Sequence, residues 1–334
     1  MSQHDTPYLF DARSAAWPRT TGWERYTREI ASRISIAEPR VRVRVAGAQG
    51  IASRVWQDAV ATPAAVRGTR VAHFPTLPPV PWVRPSTALV FTLHDLTWWR
   101  WRETASRMGR HYYAPLARAA LKGGAHIVTC TQTVAHEVMS DFGLDETTVS
   151  VVPNGVELPA AADIPPRPRP YLVSVGTLEP RKNLAKLAAA YRLSGMSATH
   201  DMVVVGRIGW AELPPGLTLL SGLDDAQLVA TYRGATALVL PSLYEGFGLP
   251  AVEAMQLGIP VICSDIPVLR EVTGGHATYV DATSVDALAE ALRAAPQAVA
   301  TQDGAQWART TYTWDGTVAE LSRLYRRLDT GAAR

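Results

Sequence analysis

The chain has 334 residues, 47% of them hydrophobic and 19% charged, with 24 Gly and 24 Pro scattered without period; this excludes collagen-like, coiled-coil and low-complexity classes and leaves room for two globular domains. Its 33 Lys+Arg against 30 Asp+Glu give a net charge of only +3, too little for a dedicated nucleic-acid binder. The charge is uneven: residues 1–155 hold 18 basic and 12 acidic side chains and 156–334 hold 15 and 18, so halves of opposite sign suggest two domains.

The opening MSQHDTPYLFDARS has no apolar stretch suited to a signal peptide, and no segment reaches the roughly 18–20 apolar residues that span a bilayer. A cytoplasmic protein is the expectation. Strand-like runs follow in the first half: YLFDA, VRVRV, VAHF, ALVFTLHD, HIVTCT and VSVVPNG. Arginine on alternate positions of VRVRV reads as a solvated edge strand. Gly22 lies between the first strand and a helix, and the absence of G-x-G-x-x-G there counts against a dinucleotide dehydrogenase. His94 closes ALVFTLHD at a strand's carboxyl end and begins a loop; a histidine in an apolar run is more often a core residue than a catalyst. Cys130 and Cys263, in IVTCT and PVICS, read as buried thiols and cannot form a zinc site by themselves.

Residues 156–170, VELPAAADIPPRPRP, hold five prolines that remove backbone donors and discourage helix and strand, which marks a linker. A second series of apolar runs follows it: YLVSVG, MVVVG, LTLLSG, ALVLPS, PVICSD and ATYV. Near-continuous apolar strands separated by helix-length segments predict parallel sheets buried on both faces, an α/β protein doubly wound twice over. The terminal WDGTVAELSRLYRRL is amphipathic, with Val318, Leu321, Leu324 and Leu328 at helical spacing. It is expected to pack back across the first domain.

Two clusters in the second half carry chemistry. In ALVLPSLYEGFGLPAVEAM, Pro250 sits where a helix begins, so Gly246, Phe247, Gly248 and Leu249 present backbone N–H groups at a helix N-terminus, which attracts phosphate. Glu245 and Glu253 bracket that turn. A carboxylate beside a phosphate-binding turn is unfavourable unless it accepts hydroxyl hydrogen bonds, which points to sugar or ribose; a helix-start acid is the plainer reading of Glu253. In YLVSVGTLEPRKN a strand ends in a turn at Gly176, and Arg181 and Lys182 follow near a helix start. By itself the pair reads as solvated cations. Two anion-seeking turns at strand carboxyl ends of one domain read as a ligand site.

In the shared order of FDAR…TTGWERYTREI, LHDL, VVPNGV, VGTLEPRKN, VVVG, SGLDDAQLVATYRGATALVLPSLYEGFGLPAVEAM and the terminal helix, the chain resembles the retaining glycosyltransferases of family 4, mannosyltransferase-like branch, over nearly its whole length. The resemblance implies the GT-B fold: two Rossmann-like, doubly wound parallel-sheet domains facing across a cleft. Residues 1–155 would form the acceptor-side domain, joined by the helix 315–330, with 156–170 as linker and 171–314 as the nucleotide-sugar-binding domain. It implies that Arg181 and Lys182 bind the donor diphosphate, Glu253 the ribose hydroxyls and Glu245 sugar hydroxyls near the reacting carbon. The Gly246–Leu249 backbone and Gly176 would meet sugar and phosphate, Arg207 and Leu223 would flank the base, and His94 would touch the donor sugar from the opposite domain. The family's first loop is richer in glycine than the lone Gly22 followed by Trp23 and Glu24. TWWRWRE places Trp98, Trp99 and Trp101 where they serve either as a stacking platform for acceptor sugars or as packing.

The expected activity is metal-independent transfer of a hexose, with no cofactor and no metal ligand set, to a hydroxyl of a glycan, lipid-linked or small-molecule acceptor. GDP-mannose is the first expectation for the donor and a UDP- or dTDP-hexose the second. The rival readings are a catalytically silent nucleotide-sugar-binding protein of the same fold and an enzyme coupling to a non-hydroxyl acceptor. A pyridoxal-phosphate phosphorylase is disfavoured, because only Lys122, Lys182 and Lys186 are present and Lys182 belongs to the diphosphate motif. The basic first half carries a further expectation of peripheral contact with anionic membrane, beside that of a merely solvated arginine-rich surface.

Overall fold

The computed structural model describes residues 8–16, 22–45, 56–79, 87–104, 109–300 and 302–331; residues 1–7 and the first-loop residues 17–21 of the motif read above lie outside the described residues. Two compact units emerge, Met1–Gly155 with Thr313–Arg334, and Val156–Tyr312.

Unit 1 is built on β1 (Tyr8–Asp11), β2 (Val41–Arg44), β3 (Val71–Phe74), β4 (Ala88–Thr92), β5 (His126–Thr129) and β6 (Val149–Val151). All pair in parallel in the order β2-β1-β3-β4-β5-β6. Its helices are α1 (Gly22–Ala37), α2 (Thr62–Val66, continuing a wide turn Gln57–Ala61), α3 (Thr97–Arg100), α4 (Ala114–Lys122) and α5 (Gln132–Phe142). Parallel neighbours require crossovers, and the helices that supply them cover the sheet, which is why the strands carry apolar residues on both faces.

Unit 2 repeats the plan with β7 (Tyr171–Val175), β8 (Asp201–Val205), β9 (Thr218–Leu220), β10 (Ala237–Leu240), β11 (Val261–Ser264) and β12 (Thr278–Val280), in the order β12-β11-β10-β7-β8-β9. Helices α6 (Leu184–Ser194), α7 (Asp225–Arg233), α8 (Leu249–Gln256) and α9 (Pro267–Thr273) lie between strands, and α10 (Val285–Ala294) and α11 (Gln302–Thr311) follow β12. Leu187 and Tyr191 of α6 and Leu288 and Leu292 of α10 close one core over Leu172, Val204, Val239 and Ile262. All twelve apolar runs of the sequence form strands, and the sheets are wholly parallel, so the chain is an α/β protein of two doubly wound sheets.

Residues 156–170 form neither helix nor strand, and they cluster with unit 2 rather than standing between units. The Val156 amide donates to the Tyr312 carbonyl at 3.0 Å, so the two places where the chain enters and leaves unit 2 lie side by side. The last helix, α12 (Trp314–Gly331), belongs to unit 1. Its Trp314, Val318, Leu321, Leu324 and Tyr325 are buried with Tyr8, Phe10, Tyr26, Ile30 and Ile34, each side chain contributing about 1.5–3 kcal/mol through burial. Asp329, one turn beyond Tyr325, fixes the helix end through Tyr8 Oη (2.9 Å) and Arg70 (2.7 Å).

The reading of VRVRV needs one correction. β2 is a sheet edge and Arg42 is exposed, but Arg44 is not solvated. Its guanidinium donates to Thr62 Oγ1 at 3.0 Å and lies 3.6 Å from Asp11, because that edge is covered by α2 and its preceding turn. Among the described residues, no helix is long and apolar enough to cross a membrane.

Candidate functional site

At the carboxyl end of β7 the chain turns through Gly176 and enters a single tight turn, Pro180–Lys182. Asn183, with φ 58°, reverses the chain into α6, and its Nδ2 donates to the carbonyls of Pro241 (3.2 Å) and Ala282 (2.8 Å). One side chain thereby holds together the loops that follow β7, β10 and β12. The Leu243 amide donates to the Arg181 carbonyl at 2.8 Å, which brings the β10 loop over the cationic turn. Asparagine tolerates this left-handed backbone better than most residues, yet its tethering role depends on loops distant in sequence.

The β10 loop runs through Glu245, Gly246 and Phe247 into α8. Gly248 caps that helix at φ 90°, and a Cβ there would lie 2.7 Å from Leu269 Cδ2. Pro250 occupies the first turn, where its missing N–H costs no hydrogen bond. Phe247 is buried edge-on against Tyr312, with ring centroids 5.2 Å apart.

Three buried charges, Glu179, Lys182 and Glu245, and the half-buried Arg181 meet where the β7 and β10 loops touch. Lys182 Nζ donates to Glu245 Oε1 at 2.6 Å, and Arg181 reaches Glu245 Oε2 at 3.2 Å, Glu179 Oε1 at 2.6 Å and the Tyr244 carbonyl at 3.0 Å. Burial raises the Glu245 carboxyl, but Lys182 and Arg181 outweigh it and hold the group at about 2. Burial lowers the Lys182 amine, and Glu245 offsets that only in part. The sequence argument that Glu245 needs hydroxyl partners is therefore corrected: both of its oxygens are satisfied by the two cations.

This arrangement makes an acid-side prediction. A carboxyl held near 2 in the fold, against about 4.3 unfolded, contributes stability that is complete above about pH 4.5 and lost as pH falls toward 2. The thermal midpoint of wild type should exceed that of Glu245→Gln at pH 7, and the gap should narrow steadily below pH 4.5. A gap constant from pH 7 to pH 3 would remove the assignment.

The other expected donor contacts lie on the same sheet edge. Gly176, Arg207, Leu223 and the Glu245–Leu249 loop follow β7, β8, β9 and β10, adjacent strands whose carboxyl ends face one way. Arg207 is exposed, and its carbonyl accepts from the Leu178 amide at 2.9 Å. Glu253, on α8, is buried and accepts from Tyr232 Oη at 2.9 Å, so in this structure a tyrosine hydroxyl occupies one carboxylate oxygen expected for ribose. Asn183 and Gly206 were not singled out by the sequence reading. A Cβ on Gly206 would lie 1.9 Å from the Gly176 carbonyl oxygen, a signal visible in VVVG only once β7 and β8 are known to be neighbours.

The remaining candidates belong to unit 1. Gly22 is exposed at the first residue of α1. His94 lies two residues past β4 and is buried: Nε2 bonds the Pro75 carbonyl at 2.8 Å, Nδ1 is 3.6 Å from Cys130 Sγ, and Trp23 stacks on the ring with centroids 5.8 Å apart. Burial lowers its pKa to about 4, so the imidazole is neutral at pH 7. Both ring nitrogens of His94 thus have partners within unit 1. Trp98 is corrected: it is 5% exposed and stacks on Phe142, a packing residue rather than an open platform. Trp99 and Trp101 are half-buried. Both cysteines are buried free thiols pushed up by desolvation to about 12.

Comparison with known proteins adds the following. Residues 22–159 match the family model "Glycosyltransferase Family 4" and residues 161–297 match "Glycosyl transferases group 1". The chain is 32% identical over 176 residues to the O-antigen chain mannosyltransferase B of Escherichia coli, covering 47% of this chain and 46% of that protein. It is 30% identical over 213 residues to the O-antigen chain mannosyltransferase RfbU of Salmonella typhimurium, covering 60% and 58%. The aligned regions thus span about half the length of these curated relatives. Among solved structures, sucrose-phosphate synthase of Thermosynechococcus elongatus superposes with a TM-score of 0.73 at 17% identity, covering 98% of this chain and 100% of that one; this is a likeness of fold.

Proposed function

We propose that this chain, which belongs to the glycosyltransferases of family 4, moves a hexose from a nucleoside-diphosphate sugar to a hydroxyl of a glycan, lipid-linked or small-molecule acceptor with retention of configuration. The observation that carries the reading is the Lys182–Glu245–Arg181 ion cluster in the loop that leads into α8. A diphosphate entering there meets two preformed cations and the positive dipole end of a helix start. Held in place before the reaction, these groups stabilise the charge that develops on the leaving diphosphate.

Glycosyl transfer breaks the bond between the anomeric carbon and the phosphate oxygen and forms one to the acceptor oxygen. In the retaining course proposed, the acceptor attacks from the face the diphosphate leaves, and a departing phosphate oxygen takes the acceptor's proton. Arg181 and Lys182 supply the neutralisation, so the reaction is proposed to need no metal. Glu245 keeps both cations charged and in place, and it accepts a hydroxyl of the transferring sugar as a positioning residue. Glu253 and Tyr232 hold the ribose end. His94, neutral and fixed, orients the Pro75 turn in unit 1.

Mannose from GDP-mannose is the proposed donor, supported by the similarity to the two O-antigen mannosyltransferases; a UDP- or dTDP-hexose is second. The test is a thermal-shift series with GDP, UDP, dTDP and ADP, followed by turnover of the matching isotope-labelled sugars. A ligand that binds only the native state raises the midpoint with the logarithm of its concentration over Kd. GDP is expected to give the largest shift. Equal silence toward all four nucleotides would refute the site, whereas a preference for UDP or dTDP would refute only the donor.

A further inference from the structure

One large side chain on the donor edge of unit 2 has no part in the transfer reading. Beyond β8 the chain forms a short arc, residues 207–211, clamped at both feet to a single residue of the loop after β7. The Leu178 amide donates to the Arg207 carbonyl at 2.9 Å, and the Ala211 amide donates to the Leu178 carbonyl at 3.1 Å. Gly209 lies between the feet with its backbone against Leu178, where a Cβ would be 2.2 Å from the Leu178 carbonyl oxygen. The arc is therefore drawn down onto that loop, and the side chains flanking Gly209 are left outside: Ile208 is 74% and Trp210 52% exposed. Leu178 is buried and adjoins Glu179, which holds Arg181 at 2.6 Å. The arc thus sits one residue from the ion cluster. Of the two tryptophans in unit 2, Trp307 lies over Gly274, where a Cβ would meet its ring at 2.5 Å. Trp210 has no ring partner and no hydrogen bond among the described residues.

A diphosphate at Arg181 and Lys182 is only one end of a nucleotide, and its base must continue along the same carboxyl edge. There the arc after β8 and the loop after β9 begin side by side: Val205 pairs with Leu220, and the Gly206 amide donates to the Leu220 carbonyl at 3.0 Å. The β9 loop is fixed as well. Gly222 turns it at φ 78°, and Asp224 and Gln227 close a reciprocal capping box at the start of α7, at 2.8 and 3.0 Å. A single exposed aromatic is ordinary on a protein surface. Trp210 differs because its backbone is tied twice to the loop that carries the diphosphate cations, and an indole with only two side-chain torsions loses little entropy when a flat ring settles on it. Every nucleobase offers such a face.

We propose that Trp210 is the stacking platform for the nucleobase of the donor and gives the site a preference for a purine, whose two fused rings cover more of the indole than the single ring of a pyrimidine. This rests on the transfer reading and adds to it the residue that selects the base. The test is calorimetric titration of the full chain, of Trp210→Ala and of Trp210→Tyr with GDP, UDP and inorganic pyrophosphate, which carries the diphosphate without a base. Trp210→Ala is expected to weaken GDP by about tenfold to a hundredfold, the loss of one base–aromatic stack, to weaken UDP less, and to leave pyrophosphate unchanged. Trp210→Tyr keeps a ring and should retain most of the GDP affinity. Both variants should melt with the wild-type midpoint in the absence of ligand, since the side chain is half exposed. Unchanged GDP binding by Trp210→Ala, equal losses for GDP and UDP, a loss of pyrophosphate as large as that of GDP, or a wild type that prefers UDP would each overturn the proposal while leaving the diphosphate site in place. A wild type that binds neither pyrophosphate nor a nucleotide would remove that site and the proposal together.

Discussion

Lys182→Met is expected to lower turnover by about 10²–10³-fold, the loss that follows removal of one preorganised charge-stabilising group, or about 2.7–4 kcal/mol of transition-state stabilisation. Two effects are superimposed in that variant. The cation for the departing diphosphate is gone, and Glu245 keeps only Arg181 at 3.2 Å in place of the 2.6 Å contact with Lys182. Breaking a buried ion pair from one side costs up to about 3–5 kcal/mol because a buried charge is left under-compensated. The double variant Lys182→Met/Glu245→Gln separates the effects, since it removes the stranded carboxylate. Its melting midpoint should recover much of the loss while its turnover stays low. Recovery of turnover together with stability would show that Lys182 serves the fold and not the donor.

The second large effect is expected for Gly206→Ala, a change of one methyl group in an exposed-looking loop. An added Cβ would lie 1.9 Å from the Gly176 carbonyl oxygen and 2.7 Å from its carbon, so the backbones after β7 and β8 must part by more than an ångström. That strains the Gly176–Val205 (2.9 Å) and Gly206–Leu220 (3.0 Å) hydrogen bonds. It also shifts the residue against which the Lys182 stem packs, since the Gly176 Cβ position lies 3.0 Å from Lys182 Cε. Overpacking of this kind costs about 1–3 kcal/mol, and the displaced turn should abolish nucleoside-diphosphate protection even at temperatures where the variant is folded. A variant that melts lower yet keeps the full nucleotide shift would show that the two loops are only neighbours and not parts of one site.

The positions of the donor-side residues were legible because each cluster is local. Arg181 and Lys182 are consecutive, and Glu245 through Leu249 form one loop with Pro250 marking the helix start. What they do to one another was not legible. Sixty-odd residues separate Lys182 from Glu245, and only the adjacency of β7 and β10 turns two anion-seeking turns into one ion cluster. The same limit hid Asn183, whose side chain ties Pro241 to Ala282. In unit 1 the sequence left His94 and Trp98 between core and ligand, and the structure places both within packed surroundings.

Hydrophobic periodicity and strand-ending turns determined the α/β class, the number of apolar strands in each half and where the loops with Arg181, Lys182 and Glu245 fall, because these depend on neighbours a few residues apart. Strand order, the inward turn of Arg44 and Asp58, the pairing of Glu245 with both cations and the close approach that requires Gly206 were decided by the tertiary structure. They arise from contacts between segments distant in the chain, where burial sets the strength of each charge and the backbone leaves no room for a side chain.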